Sequence, residues 1–163
     1  MRWLRHLLLD HLLLHRAFPR ATLAAIERAV AEQERRHRGE LRVAIEGGMP
    51  LHALLARRTA RERALELFTR LRVWDTEDNS GVLIYVLLAD RHVEVVGDRG
   101  IHARVGDAAW EGICGAMQRE FAEKRFEQGM LHGLAAVSDL LQKHFPARPG
   151  GNPNELPDAP LTI

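Results

Sequence analysis

The sequence contains one cysteine, Cys114. No disulfide can form within the chain, and no disulfide-linked partner is expected. There is no apolar run of about 18 residues, the length a helix needs to cross a bilayer. Charge of one sign is also missing: the formal net charge is +1. That leaves no global field to attract nucleic acid, which is not expected as a partner. Proline is scarce until the end of the chain, and internal repeats are absent. The opening MRWLRHLLLDHLLLHRAF is no secretory leader, because Arg5, His6, Asp10 and His11 break its apolar stretch and no small-residue cleavage site follows. The expected address is the cytoplasm, with peripheral association at the inner membrane.

What remains is enough for one domain. The chain has 163 residues with 46 % apolar and 28 % charged side chains, a composition that supports a core. Residues 1–18 carry Trp3, Leu4, Leu7, Leu8, Leu12 and Leu14 at helical spacing. They read as an amphipathic helix, which packs on its own domain or lies on a membrane surface or partner. Residues 21–38 read as a helix with Leu23, Ile26 and Val30 on one face and Gly39 as its stop; Thr22 gives a weak cap signal. LRVAIE at 41–46 alternates and predicts a strand with one buried face. Residues 51–71 predict helix, and Thr59 followed by Glu62 has the form of a capping box that would mark a second start. GVLIYVLLA at 81–89 is short, continuous and rich in β-branched residues, which predicts a central strand buried on both faces. Asp90 and Arg91 make a turn, HVEVVG at 92–97 completes a hairpin, and DRGIHARVG follows as loop. Two helices are expected at 107–125 and 128–145. The tail, 146–163, holds five of the seven prolines with Gly150 and Gly151 and predicts disorder. A strand reached from another through a helix implies parallel pairing. The expected product is an α/β fold, with a mixed sheet covered by helices on both faces.

The run WDTEDNSGVLIYVLLADRHVEVVGDRGI, residues 74–101, resembles the TPM domain, a family named after a thylakoid lumen protein, a photosystem repair protein and a nematode receptor modulator. The matching pieces are Asn79-Ser80-Gly81, the strand Val82 to Leu88, the Asp90-Arg91 turn, and Gly97-Asp98-Arg99-Gly100. ELRVAIE is similar to the family's first strand, and EFAEKRFEQGMLHGLAAV, residues 120–137, to its closing helix pair. Ser80 and Asp98-Arg99 vary the pattern. The resemblance covers roughly residues 20–145. It implies a three-layer α/β/α Rossmann-like sandwich with a short mixed β-sheet and an extra N-terminal helix, divided as an amphipathic helix (1–18), a TPM-like domain (19–145) and a tail (146–163). It also implies a divalent-cation site, calcium or magnesium, and carries a phosphatase label. Bacterial relatives are often exported or membrane-tethered, and this chain departs from them in lacking a leader and an anchor.

Acidic residues flank the hairpin: Asp75, Glu77, Asp78, Asp90, Glu94 and Asp98. Hard cations take several oxygen ligands, so Asp75, Asp78, Asp90 and Asp98 are the expected metal ligands, although Asp90 sits at the opposite end of strand 82–89 from Asp78. The alternative is ordinary solvated turns in which Asp and Asn cap the backbone. DTEDNSG is not an EF-hand loop. Cys114 and Arg119 lack the spacing of a cysteine-phosphatase loop, so Cys114 reads as a small core residue. The histidines show no zinc spacing, and Arg57, Arg58, Arg61 and Arg63 form a basic patch that reads as a solvated face. No residue stands out as a nucleophile or base. The expected function is a TPM-domain accessory or interaction protein that binds a divalent cation and meets a protein partner or membrane surface. The alternatives are a metal-dependent phosphatase acting on phosphomonoesters, and a peripheral membrane protein using residues 1–18.

Overall fold

The computed structural model describes residues 10–151 and 153–163, with side chains from Leu13 onward. The first nine residues of the expected amphipathic helix lie outside the described residues. Its remainder forms α1 (Asp10–Ala17). Leu14 is buried and Phe18, just beyond, is fully buried, so this end packs on its own domain.

Helix α2 (Arg20–Glu34) starts after Pro19 and buries Ile26 and Val30. Thr22 does not cap it. The residue is buried, and its hydroxyl donates to the Glu127 carboxylate at 2.6 Å. The helix ends at Glu34, before the Gly39 stop, because the chain turns away to pair elsewhere. Arg38 N–H donates to the Phe145 carbonyl and Ala147 N–H to the Arg36 carbonyl.

Strand β1 (Leu41–Glu46) follows, then α3 (Leu51–Leu55) and α4 (Ala60–Arg70). The expected helix at 51–71 is thus two helices. The second start is the one the sequence marks: Thr59 and Glu62 form a reciprocal capping box, which satisfies two otherwise orphaned N–H groups. Strand β2 (Val82–Leu87), a 3-10 turn (Leu88–Asp90) and β3 (His92–Gly97) make the hairpin. The stretch expected as loop after Gly97 contains a short helix, α5 (Arg99–Val105), capped by Asp98. Helices α6 (Asp107–Ala122) and α7 (Phe126–His144) close the domain.

The sheet order is β3-β2-β1-β4. β1 and β2 pair in parallel from Leu41–Val82 to Glu46–Leu87, and β2 and β3 pair antiparallel. The fourth strand corrects the expectation of a disordered tail. β4 (Leu161–Thr162) pairs in parallel with Ala44 and Ile45, and Leu156 is buried. Composition argues for disorder only where a segment lacks a surface to bury against. Here the free edge of β1 supplies that surface, and an unpaired edge is itself unfavourable.

One sheet face carries Val43, Ile45, Ile84, Val86, Val93 and Val95 against α1, α2 and α5 to α7. The other carries Ala44, Leu83, Tyr85 and Leu87 against α3, α4 and Leu156. The fold is therefore a three-layer α/β sandwich around a mixed sheet.

β1 is buried on both faces rather than one, because its polar positions are partnered. Arg42 donates to the Pro157 carbonyl at 3.0 Å and to the Ala159 carbonyl. Glu46 accepts from Arg63 at 2.7 and 3.0 Å and from the Tyr85 hydroxyl at 2.6 Å. Arg63 therefore leaves the expected basic patch and becomes a buried ion-pair partner. Satisfied in this way, buried charges are tolerated.

Candidate functional site

The acidic side chains singled out from the sequence fall at two opposite rims of the sheet. Loop 75–81 leads into β2, and Asp98 follows β3. Because β2 and β3 are antiparallel, both lie at one rim, beside the start of β1. Asp90 ends the 3-10 turn at the far end of β2, roughly 20 Å away at about 3.3 Å per strand residue. It cannot share a site with the other three.

At the shared rim, each loop carboxylate already has a cation. Both oxygens of Asp78 lie 3.1 Å from Arg38 Nη1 and 3.3 Å from Arg148 Nη2. Asp75 is half-exposed and pairs with Arg72 at 2.5 Å. Glu77 takes Arg148 at 3.3 Å. The four-aspartate set therefore does not fit one ion, and among the described residues no three His, Cys, Asp or Glu side chains form a group that could hold a metal.

Asp98 is different. Its N–H donates to the Gly81 carbonyl at 2.8 Å, and Oδ1 accepts from Arg99 N–H at 2.7 Å. Oδ2 is buried and has no hydrogen-bond partner. A buried polar atom without a partner is uncommon and signals strain, a water or an ion. Gly100 shows how closely loop 75–81 approaches: a Cβ there would lie 2.5 Å from the Asn79 carbonyl oxygen and 2.8 Å from that of Asp78. Only glycine fits beneath those two oxygens. The one buried carboxylate oxygen without a partner among the described residues is therefore Asp98 Oδ2.

A second polar concavity lies over β3. His92 bonds Glu94 at 2.7 Å, which holds the imidazole pKa above its usual value. Arg61 donates to the Val95 carbonyl at 3.0 Å. Cys114 lines the same concavity, and burial pushes its thiol up to about 11. A thiol so raised is a poor nucleophile near neutrality.

A third group has no counterpart in the sequence pattern. Glu34 and Glu40 sit beneath the returning tail. Burial, opposed by the Leu41 N–H and aided by Glu40 and Asp158, pushes Glu34 up to about 8. Burial likewise pushes Glu40 up to about 7, and its carboxyl accepts from Glu155 and Leu156 N–H. His37 is fully buried, and desolvation lowers it to about 4. Nothing in the sequence could flag these residues, because each lies in an exposed-looking helix end or turn that the tail covers only after folding.

The TPM domain model matches residues 15–140. The NMR structure of the BA42 protein from the psychrophilic bacterium Bizionia argentinensis superposes with a TM-score of 0.76 at 29 % identity, covering 88 % of this chain and 93 % of that one. The N-terminal domain of a P. gingivalis protein superposes with a TM-score of 0.60 at 19 % identity, covering 80 % and 82 %, and shares the fold. No curated protein matches the chain. Among the described residues no helix is long and apolar enough to cross a membrane. On the family match over most of its length, together with the strand order and the hairpin, the chain belongs to the TPM domain family.

Proposed function

We propose that this TPM-domain chain is an interaction module that binds a divalent cation, calcium or magnesium, between Asp98 and loop 75–81. The supporting observation is the Asp98 carboxylate: one oxygen caps α5, and the other is buried without a partner, at the rim where loop 75–81 packs closely on Gly100. Calcium favours such oxygen sets, taking carboxylate, carbonyl and water oxygens together. Arg38 and Arg148 compete for Asp78, so affinity is modest. An ion that draws Asp78 away frees Arg148, which lies in the tail just beyond α7. Cation binding would then alter the surface that residues 146–163 present to a protein partner or a membrane surface.

Calorimetric titration with calcium chloride and magnesium chloride tests this. At ten times the Kd, binding adds about 1.4 kcal/mol, which raises the Tm by roughly 3–5 °C for a chain of this size. Asp98→Asn keeps the α5 cap through its amide oxygen and should lose the response. Absence of heat and of any Tm change in the wild type at millimolar ion removes the proposal.

A further inference from the structure

At the rim away from Asp98, where β1 and β2 both end, the chain encloses a cleft of about 510 Å³. In open α/β sheets the crevice beyond the carboxyl ends of the strands is where ligands bind. The volume lies within the usual range for small-molecule sites. Its floor is apolar: Val86, Leu88 and Phe121 are buried there, and Phe126 packs against Phe121 with ring centroids 5.4 Å apart. Leu13 and Ala17 of α1 form one wall.

The mouth is cationic. Arg16, Arg91 and Lys124 line it, all exposed, and none of the three forms an ion pair among the described residues. Among the described residues no carboxylate lines the cleft; Asp90, next to Arg91, has its own partner. Arg91 and Lys124 also hold φ of 51° and 62°, turn positions that glycine occupies at less cost. Long cationic side chains stand there instead. Three unpaired cations around an apolar floor are complementary to one chemical class, an anion joined to a hydrocarbon chain.

We propose that this cleft binds a single-chain amphiphilic anion. The acyl chain lies on Val86, Leu88, Phe121 and Phe126, and its carboxylate or phosphate head meets Arg16, Arg91 and Lys124. The site is at the opposite end of β2 from the cation reading, so either can fail without the other.

The test is calorimetry of the full chain with unbranched carboxylates from octanoate to palmitate, each below its micellar concentration. Each added methylene should tighten binding roughly fourfold, the equivalent of about 0.8 kcal/mol per buried CH2, until the cleft is full and the trend flattens. The matching alcohols should bind at least about tenfold more weakly, since they leave the cations unpaired. Ala122→Trp fills the cleft from an exposed helix end and should abolish binding with an unchanged circular dichroism spectrum. Arg91→Gln with Lys124→Gln should weaken carboxylate and alcohol toward a common affinity. Lysophosphatidic acid, and vesicles of phosphatidylglycerol against phosphatidylcholine, separate a free amphiphile from a membrane headgroup as the source. Capture by phosphatidylglycerol vesicles without binding of any monomeric amphiphile overturns the proposal. So does an affinity indifferent to chain length, survival of binding in Ala122→Trp, or no binding at millimolar ligand.

Discussion

Replacing Glu34 by Gln tests whether the tail is held down by carboxyls that must stay protonated. Glu34 Oε1 accepts from Leu41 N–H at 2.7 Å, and Asp158 and Glu40 lie beside it. In the folded chain its carboxyl is pushed from 4.5 up to about 8. Below pH 4.5 it is protonated in both states and contributes no pH dependence. As pH rises, the unfolded chain releases the proton first, so stability falls through the interval from 4.5 to about 8 and then levels off. The full difference corresponds to at most about 5 kcal/mol. Glu34 is only half-buried, and the tail above it can loosen to admit water, so about 2–3 kcal/mol is the expected loss. For a chain of this length that is a Tm drop of roughly 6–10 °C. Gln keeps an acceptor for Leu41 N–H and cannot ionise. Urea unfolding of wild type and Glu34→Gln, across about pH 5 to 9, gives the answer as the difference in midpoint. The variant should match wild type in acid and exceed it in alkali. Curves that remain parallel over the whole range would refute the reasoning.

The buried triad of Glu46, Arg63 and Tyr85 gives a graded series. Arg63→Met strands a buried carboxylate and should cost about 3–5 kcal/mol, whereas Tyr85→Phe removes one neutral donor and should cost about 1–2 kcal/mol, both read by denaturant unfolding. Deleting residues 155–163 uncovers the β1 edge and removes buried Leu156. The shortened chain should self-associate in sedimentation velocity, as an exposed strand edge does, and a strictly monomeric profile would contradict that account.

How legible the fold was depends on whether local pattern and tertiary contact agreed. GVLIYVLLA is apolar throughout, and β2 is buried on both faces. The Thr59–Glu62 box is a local device between residues three apart, and it forms as its spacing predicts. Where the two disagreed, contact won. Arg42 and Glu46 read as the wet face of β1, but partners 115 and 39 residues away bury them. Asp98 reads as part of a turn, and only the folded chain shows that its second oxygen is shut away from water.

The sequence by itself determined β1 to β3, the hairpin, the capped helix and the family, because periodicity and turn chemistry act over a few residues. Tertiary structure decided which charges meet. It set Arg38 and Arg148 on Glu77 and Asp78, and folded a proline-rich tail onto an open strand edge. Those outcomes depend on groups far apart in the chain, brought together by burial of two hydrophobic layers whose geometry no local pattern encodes.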